Sequence, residues 1–254
     1  MKVLKFGGTS VGSAKNIKKV IAIVKNEAAS ENVAVVVSAI GGITDKLLAA
    51  AEKAINKNKD YKQDFEYLRL KHIEVIDSLL VGETHEATLD IVLNHLFKLE
   101  KILDGIYLIN ELSPKTTDKL LSFGELLSSL IIYEAMKSDD LNVQLKNSQN
   151  LILTDSNFTN ATVNFGETNN NICTYFNGND KIITILPGFI SKSENGDITT
   201  LGRGGSDYTA DHIEGVLFTE KIKPLRKRLI KGALGRIERG GISAGYPMKF
   251  PKAK

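Results

Sequence analysis

The hydrophobic positions at the start of the chain follow first a strand-like and then a helical pattern. Residues 2–6 form a short strand-like segment that ends at a Gly-Gly pair, which predicts a strand followed by a turn. Apolar residues then recur at helical spacing: Ile17, Val20, Ile21 and Val24. Ser13 is placed to cap this helix, and residues 32–38 form a continuous apolar run that is typical of a buried parallel strand. The order strand, helix, strand predicts a βαβ unit.

A second glycine pair, Gly41-Gly42, precedes a long region in which apolar residues keep helical spacing. Thr44 follows that pair and is placed to cap a helix. From residue 60 to about 137 the pattern is helical, and Pro114 marks the start of a further helix. One apolar stripe consists of Phe65, Leu68, His72, Ile76 and Leu79. We interpret such stripes as packing surfaces, and the region as a helical insertion after the second strand.

Strand-like segments return at residues 142–145 and 181–186. Pro187-Gly188 turns the chain after the second segment, and Asn195-Gly196 is typical of a hairpin turn. With the preceding elements, these patterns predict one α/β domain in which helices flank a mostly parallel sheet, with a helical insertion.

Composition places the chain among globular proteins and narrows the possible kinds of site. Hydrophobic residues make up 42% and charged residues 25% of the sequence, which is ordinary for a packed domain. The single cysteine, Cys173, cannot form an internal disulfide, and no signal-peptide pattern opens the chain, so we expect a cytoplasmic protein. No apolar run reaches the length of a membrane span, and the histidines lack metal-site spacing. We therefore expect neither a membrane partner nor a metal held by the protein alone.

Charge is distributed unevenly along the chain. The net charge is +3, yet residues 211–254 hold 11 Lys or Arg against 4 Asp or Glu. The same segment contains three of the five prolines, Pro224, Pro247 and Pro251. The chain therefore combines a mildly acidic body with a basic tail.

The first glycine turn carries residues that suit an anion. Lys5 lies near the end of the first predicted strand, so it points toward the carboxyl edge of the sheet, where open α/β folds bind ligands. Gly7 and Gly8 let backbone N–H groups approach a phosphate, while Thr9 and Ser10 add hydroxyl donors before a helix. The alternative is a tight strand–helix turn with a solvated lysine, and the local pattern does not decide between the two.

Two further stretches contain candidate residues. The loop of residues 38–44 follows the second strand, and parallel neighbouring strands end at the same edge, so we expect this loop to face the first one across a cleft. Glu125 lies among apolar and small residues of a predicted helix, where an unpaired carboxylate is costly to bury. It therefore either faces solvent or meets a cation such as a substrate ammonium.

The stretch GRGGSD at residues 202–207 combines flexible backbone with charge. Arg203 offers a bidentate fork for a carboxylate. Ser206 or Asp207 is placed to cap the next helix, whose N-terminus favours negative charge. The alternative is a glycine-rich connection with an exposed arginine and a capping aspartate.

Four motifs of the chain resemble the aspartate kinase family, in the same order and at similar spacing: KFGGTS, VVSAIGGITD, SFGELLSS, and PGFIS followed by GDITTLGRGGSDYTA. GIYLINELSPKT, at residues 105–116, is more specifically similar to the kinase half of bifunctional aspartokinase–homoserine dehydrogenases. This resemblance, over residues 1 to about 210, implies an amino-acid kinase (carbamate kinase-like) fold. It also implies phosphoryl transfer from ATP, with Mg²⁺, to the β-carboxylate of L-aspartate. The product would be 4-phospho-L-aspartate, on the route to lysine, threonine and methionine.

The resemblance also implies a role for each matching residue. Lys5 and Asp207 would be catalytic, with Lys5 bridging the transferred phosphate and the substrate. The phosphates would be lined by Lys5, Gly7, Gly8, Thr9 and Ser10. Aspartate would be held by Thr44, Glu125, Arg203, Gly204, Gly205, Ser206 and Asp207. Arg203 is expected at the α-carboxylate of the substrate, and the acidic residues near its ammonium.

The resemblance ends after residue 210. The family continues with a strand that ends in Thr-Asp and with segments that hold the nucleotide, and residues 211–254 show neither. We therefore expect residues 1–210 to form the aspartate- and phosphate-binding part of a C-terminally incomplete domain, with a basic tail in place of the nucleotide-binding half. The tail is a disrupted reading frame, a divergent segment that completes the site, or an acquired segment for an acidic partner. The acquired segment, which would bind nucleic acid or an acidic partner, is the least favoured of the three, because no aromatic platform accompanies the basic run.

Two other functions stay open at this point. One is an amino-acid-kinase-type enzyme acting on a different carboxylate or a carbamate, although Glu125 and Arg203 both suit an α-amino acid. The other is an inactive aspartate-binding remnant or regulatory form. For a complete chain, the resemblance implies a homo-oligomer.

Overall fold

The computed structural model describes residues 1–177 and 182–219, and it is built on two small sheets. The strands are β1 (Lys2–Phe6), β2 (Val33–Val37), β3 (Val143–Leu145), β4 (Leu153–Thr154), β5 (Ile183–Pro187), β6 (Ile190–Ser193) and β7 (Ile198–Thr200). The helices are α1 (Ala14–Ala28), α2 (Ile43–Ile55), α3 (Tyr61–Leu79), α4 (Gly82–Ile109), α5 (Pro114–Ser138) and α6 (Phe165–Phe176), with a 3-10 helix at Ser148–Asn150. A further helix, α7, begins at residue 205.

Residues 1–216 form one compact unit, and residues 217–254 form a second. Of the second unit the structure describes residues 217–219, which are helical. Most of the predicted basic tail, including its three prolines, lies outside the described residues. Among the residues that are described, no helix has both the length and the apolar character that a membrane crossing needs.

The larger sheet is parallel and has the strand order β1-β2-β5-β3. All residues of β2 and β5 are buried, so both faces of these central strands are covered, as the continuous apolar run of β2 predicts. In the register, Phe6 pairs with Val37, and Val37 pairs with Pro187. Three chain segments therefore leave the sheet at one edge and at one level, which is the arrangement that brings loops together at a ligand site.

The smaller sheet has the order β4-β6-β7 and contains the predicted hairpin. β6 and β7 pair in antiparallel fashion, and Gly196 between them has a φ of 84°, a conformation that favours glycine. The strand predicted at residues 181–186 is β5, and Lys181 lies outside the described residues. The hairpin leads directly into the GRGGSD stretch.

Four helices, α2 to α5, lie between β2 and β3 in the chain. Their buried apolar residues belong to one core with those of the sheet, and the stripe residues Phe65, Leu68 and Ile76 of α3 are part of it. α2 is also joined to α3 by Asp64, whose carboxylate contacts Lys46 at 2.9 Å and Lys53 at 2.7 Å. The helical pattern is thus confirmed, whereas the division of the chain into a domain and an insertion stays a prediction.

Of the two N-cap residues predicted for α1 and α2, the one for α1 is correct and the one for α2 is wrong. Ser13 caps α1 as predicted, since its hydroxyl accepts a hydrogen bond from the Asn16 N–H at 3.3 Å. Thr44 does not cap α2. The helix begins at Ile43, because Gly42 turns the chain with a φ of 83° and leads into the helix one residue earlier. Thr44 therefore lies in the first turn, where it lines a cleft.

Candidate active site

A cleft of about 370 Å³ opens at the carboxyl edge of the parallel sheet. It is lined by the turn after β1, the loop between β2 and α2, α5, and the segment from the β6–β7 hairpin into α7. The prediction that the loops after β1 and β2 face one cleft is therefore correct. The loops after β1 and β2 meet because their strands end side by side, whereas α5 and the segment after β7 reach the cleft from other parts of the fold.

The loops after β1 and β2 touch through their backbones. A Cβ atom added to Gly41 would lie 3.0 Å from the Gly8 carbonyl oxygen, and one added to Gly8 would lie 3.2 Å from the Ala39 carbonyl oxygen. Any side chain at these two positions would push the loops apart. The glycines are thus needed for close approach of two loops, a geometry that also leaves backbone groups accessible to a ligand.

Lys5 and Asp207 form an ion pair in this cleft. The Lys5 Nζ lies 2.7 Å from the Asp207 Oδ1, and the two side chains are 25% and 64% exposed. The pair joins β1 to the first turn of α7 across 202 positions of sequence. Both groups remain accessible from the cleft, so a ligand can exchange with either partner.

Glu125 is the buried acid of the cleft, and only 4% of the residue is exposed. Its helix α5 approaches the loop after β2 closely, since a Cβ at Gly124 would lie 2.8 Å from the Ala39 Cβ. Burial raises the pKa of Glu125 to about 7, although a hydrogen bond from the Ala39 N–H favours the ionised form. Within residues 1–177 and 182–219, its Oε2 has no hydrogen-bond partner. Of the two alternatives for this residue, solvent exposure is therefore wrong. The carboxylate keeps an acceptor oxygen that no described residue contacts, in a buried part of the cleft wall.

The GRGGSD stretch forms a turn that presents Arg203. Gly202 and Gly204 have φ values of 71° and 79°, so both need the freedom of glycine, and Arg203 between them is exposed. A Cβ at Gly205 would lie 2.8 Å from the Phe189 Cδ2, which shows how tightly this turn packs on the segment after β5.

Ser206 and Asp207 do not cap α7, contrary to the prediction. The helix already begins at residue 205, so both residues lie in its first turn. The Asp207 side chain pairs with Lys5 instead, and Ser206 is buried with its Cβ against the position that a Gly188 side chain would fill. The glycine turn starts the helix earlier than residue preferences indicate.

Comparison with known protein families agrees with this fold and cleft, and the match covers most of the chain. A model of the amino acid kinase family matches residues 1–213. The chain belongs to the amino acid kinase family. The cleft therefore lies in the part of the chain that this family shares.

Curated relatives of this amino acid kinase include aspartokinases. The chain is 30% identical to a bifunctional aspartokinase/homoserine dehydrogenase of Buchnera aphidicola, over 83% of the chain and 26% of the relative. It is 32% identical to the chloroplastic aspartokinase 1 of Arabidopsis thaliana, over 87% of the chain and 39% of the relative. The chain thus spans about a quarter to two fifths of the length of these relatives.

A solved structure shows the same arrangement of elements. E. coli aspartokinase III in complex with aspartate and ADP superposes with a TM-score of 0.76 at 28% identity, over 86% of this chain and 47% of that chain. The amino acid kinase fold expected from the motifs is thereby confirmed.

The predicted phosphate-binding residues of this amino acid kinase do not all face the cleft. Lys5 and Gly8 line it, whereas Thr9 and Ser10 are exposed and line a separate groove of about 290 Å³ beside α1. Gly7 lies close to the lysine, since a Cβ there would sit 3.4 Å from the Lys5 Nζ. The hydroxyl donors are thus available to a ligand that extends over the turn after β1.

Asp45 and Phe189 are among the lining residues to which the sequence assigned no role. Asp45 lies in the first turn of α2, directly after Thr44, and faces the same cleft. Phe189 lies after the Pro187-Gly188 turn with a φ of 67°, which is rare for an aromatic residue. The Pro187-Gly188 turn is recognisable in the sequence, and Phe189 follows it directly, so the turn is the sequence signal that points to this residue. Among residues 1–177 and 182–219 there is no group of three potential metal ligands.

Proposed function

We propose that the chain binds L-aspartate in this cleft and contributes to an aspartate kinase, which converts ATP and L-aspartate to ADP and 4-phospho-L-aspartate. The observation that carries this proposal is the buried Glu125 with its unpartnered Oε2 in the wall of the cleft. Supporting it, two of the relatives are named aspartokinases, and one solved structure contains aspartate and ADP.

Glu125 is suited to the ammonium of an amino acid. A buried carboxylate without a partner is costly, and an ammonium supplies both the missing hydrogen bond and the opposite charge. A ligand without a cationic group would leave that cost in place. The substrate class is therefore an α-amino acid rather than a simple carboxylate.

Arg203 and Lys5 are suited to the two carboxylates of aspartate. Arg203 is exposed at the rim of the cleft and can bind the α-carboxylate in a bidentate manner. Lys5, on β1, can donate hydrogen bonds to the β-carboxylate and the transferred phosphate in place of Asp207. We assign Thr44, Gly204, Gly205 and Ser206 to the aspartate-binding wall, because each lines the same cleft.

The chemistry needs positioning and charge compensation. A β-carboxylate oxygen forms a bond to the γ-phosphorus, the bond from that phosphorus to the β–γ bridging oxygen breaks, and ADP leaves. The nucleophile is already an anion, so no general base is required. Lys5 offsets the repulsion between carboxylate and phosphate, and backbone N–H groups near Gly8 are suited to the phosphate oxygens.

Mg²⁺ belongs to this proposal as the partner of the nucleotide. Magnesium in kinases is held by one or two carboxylates together with substrate phosphates, and Asp207 is the exposed carboxylate beside Lys5. When bound, the ion would neutralise charge on the phosphates. We place the nucleotide over the turn after β1, where Thr9 and Ser10 offer hydroxyls. In the sequence, residues 211–254 follow at the point where the family has further segments that hold the nucleotide.

A second candidate function is aspartate binding without turnover. It is favoured by one observation on the sequence, namely that residues 211–254 show no strand ending in Thr-Asp of the kind that the family places after this point. Another carboxylate kinase of the same fold remains the alternative enzyme, and it would prefer glutamate or N-acetylglutamate to aspartate.

Two measurements test the proposal. Calorimetric titration with aspartate, glutamate and N-acetylglutamate identifies the ligand, and a hydroxamate assay with ATP, Mg²⁺, aspartate and hydroxylamine detects the acyl phosphate. Aspartate binding with turnover supports the kinase, and aspartate binding alone supports the second candidate. Binding of glutamate but not aspartate would overturn both.

A further inference from the structure

Asp118 is a buried carboxylate that the proposed mechanism does not use. It lies on α5 two helical turns before Glu125, and none of its surface is exposed. Its Oδ1 accepts a hydrogen bond from the Thr200 hydroxyl at 2.6 Å. Its Oδ2 accepts from the Thr200 N–H at 3.1 Å and from the Thr159 N–H at 2.9 Å.

The two residues that Asp118 holds both lie close to Gly202. Thr200 ends β7 two positions before Gly202, and Thr159 belongs to a loop that packs against Gly202. A Cβ at Gly202 would lie 2.6 Å from the Asn160 Oδ1. The Thr200 carbonyl also accepts a hydrogen bond from the Ala161 N–H at 2.9 Å, so loop and strand form one layer behind the arginine turn.

This geometry connects the two charged sides of the cleft through a single helix. α5 carries Glu125 toward the cleft and Asp118 toward the layer that supports Arg203. We propose that Asp118 is a positioning residue that sets the distance between Arg203 and Glu125, and thereby the affinity of the cleft for an amino acid. The ligand in this inference rests on the proposed function, whereas the structural link does not.

The chemistry of the contacts predicts which substitutions are tolerated. Asp118→Ala removes all three acceptor contacts, which leaves the two buried donors of Thr200 without a partner and frees the part-buried N–H of Thr159. Asp118→Asn keeps one oxygen for the two N–H groups, and its amide can donate to the Thr200 hydroxyl. Thr200→Val removes the 2.6 Å contact alone and keeps the shape of the side chain.

α5 offers a matched control one turn earlier. The Lys115 Nζ lies 2.7 Å from the Asp197 Oδ1, so this pair also links α5 to the β6–β7 hairpin. Its side chains are 56% and 30% exposed, and exposed ion pairs contribute little. Lys115→Ala therefore removes a link between the same elements without touching Thr159 or Thr200.

The experiment measures hydrogen exchange of residues 198–207 and calorimetric aspartate affinity in the full chain. For Asp118→Ala we expect exchange faster by about tenfold or more in this segment, unchanged exchange around Glu125, and affinity weaker by about tenfold or more. Asp118→Asn and Lys115→Ala should stay within about threefold of the wild type. Where turnover is measurable, the KM for aspartate should rise while the KM for ATP stays constant.

Three outcomes would overturn the inference. They are wild-type exchange and affinity in Asp118→Ala, an equal loss in Lys115→Ala, and a loss in Asp118→Asn as large as in Asp118→Ala. If Asp118→Ala does not fold, Thr200→Val decides, with exchange of the segment about threefold faster supporting the proposal and unchanged exchange opposing it. If the wild type does not bind aspartate, the proposed function fails, and the exchange data still decide the role of Asp118.

Discussion

Glu125 gives the sharpest prediction, because its environment affects stability and binding in opposite directions. The ordinary pKa of a glutamate is 4.5, and burial raises that of Glu125 to about 7. Between pH 4.5 and pH 7, the folded protein therefore keeps a proton on Glu125, whereas the unfolded chain has lost it. The contribution of Glu125 to the free energy of unfolding is therefore largest below pH 4.5, and it decreases as the pH rises toward 7.

The perturbation that tests this is Glu125→Gln, which keeps the shape and removes the titration. Between pH 5 and pH 8, the free energy of unfolding of the wild type should fall by about 2.5 kcal/mol relative to the variant, given 1.36 kcal/mol per pKa unit. Urea denaturation of both proteins at the two pH values, without aspartate, measures this difference. Contributions from all other titrating groups cancel in the comparison.

Aspartate binding should show the opposite dependence. The substrate ammonium needs the ionised carboxylate, so wild-type affinity should fall about tenfold from pH 8 to pH 6, with about half a proton released per ligand at pH 7. Titrations in two buffers of different ionisation enthalpy count that proton. Glu125→Gln should bind weakly at every pH. A variant that binds aspartate as tightly as the wild type, or a stability difference that does not change with pH, would refute the assignment of Glu125.

Three further predictions concern single sites. Lys5→Ala should lower turnover by about 100-fold or more while thermal unfolding stays unchanged, because the lysine compensates charge in the transition state; retained turnover would remove its catalytic role. Burial lowers the pKa of His72 to about 4, so the unfolded chain takes up a proton before the folded protein does, and stability is lost as the pH falls below 6.5. In denaturation experiments, the free energy of unfolding of the wild type should fall by about 2 kcal/mol more between pH 7 and pH 5 than that of His72→Leu. Gly188→Ala would place a Cβ 2.8 Å from the Ser206 Cβ and should destabilise the fold by about 1–3 kcal/mol in urea. Gly105→Ala in α4, where a Cβ would lie within 4 Å of nothing beyond its chain neighbours and the adjacent helix backbone, is its control and should be neutral or stabilising.

The sequence predicted the parts of the fold that depend on local patterns. The apolar run of β2, the helical spacing of α1 and the Asn-Gly turn of the β6–β7 hairpin each reflect contacts between near neighbours. Glu125 was also a visible candidate, because a charged residue in an apolar helix segment is unusual. Local pattern was nevertheless insufficient to decide whether it faced solvent or the cleft.

Other features depended on contacts between distant segments. Asp118 and Thr200 are 82 positions apart, and no spacing rule relates them. Ser206 and Asp207 have the composition of helix caps, but the preceding glycines start α7 before either residue. Thr9 and Ser10 follow a glycine turn as phosphate ligands do, yet they line a groove beside the cleft, a direction that only the packing of α1 determines.

Two charged groups of the cleft, Lys5 and Glu125, are compensated within the protein, and this determines how a ligand binds. Lys5 is paired with Asp207, and Glu125 is partly protonated at neutral pH. Under the proposed function, the substrate ammonium replaces the proton on Glu125, and the β-carboxylate with the phosphate replaces Asp207 at Lys5. Each exchange substitutes one charge partner for another, so binding need not create an uncompensated charge in a poorly hydrated site. A ligand with only one of the two charges would complete one exchange and gain none of the contacts of the other, which is a physical basis for selecting a zwitterionic amino acid.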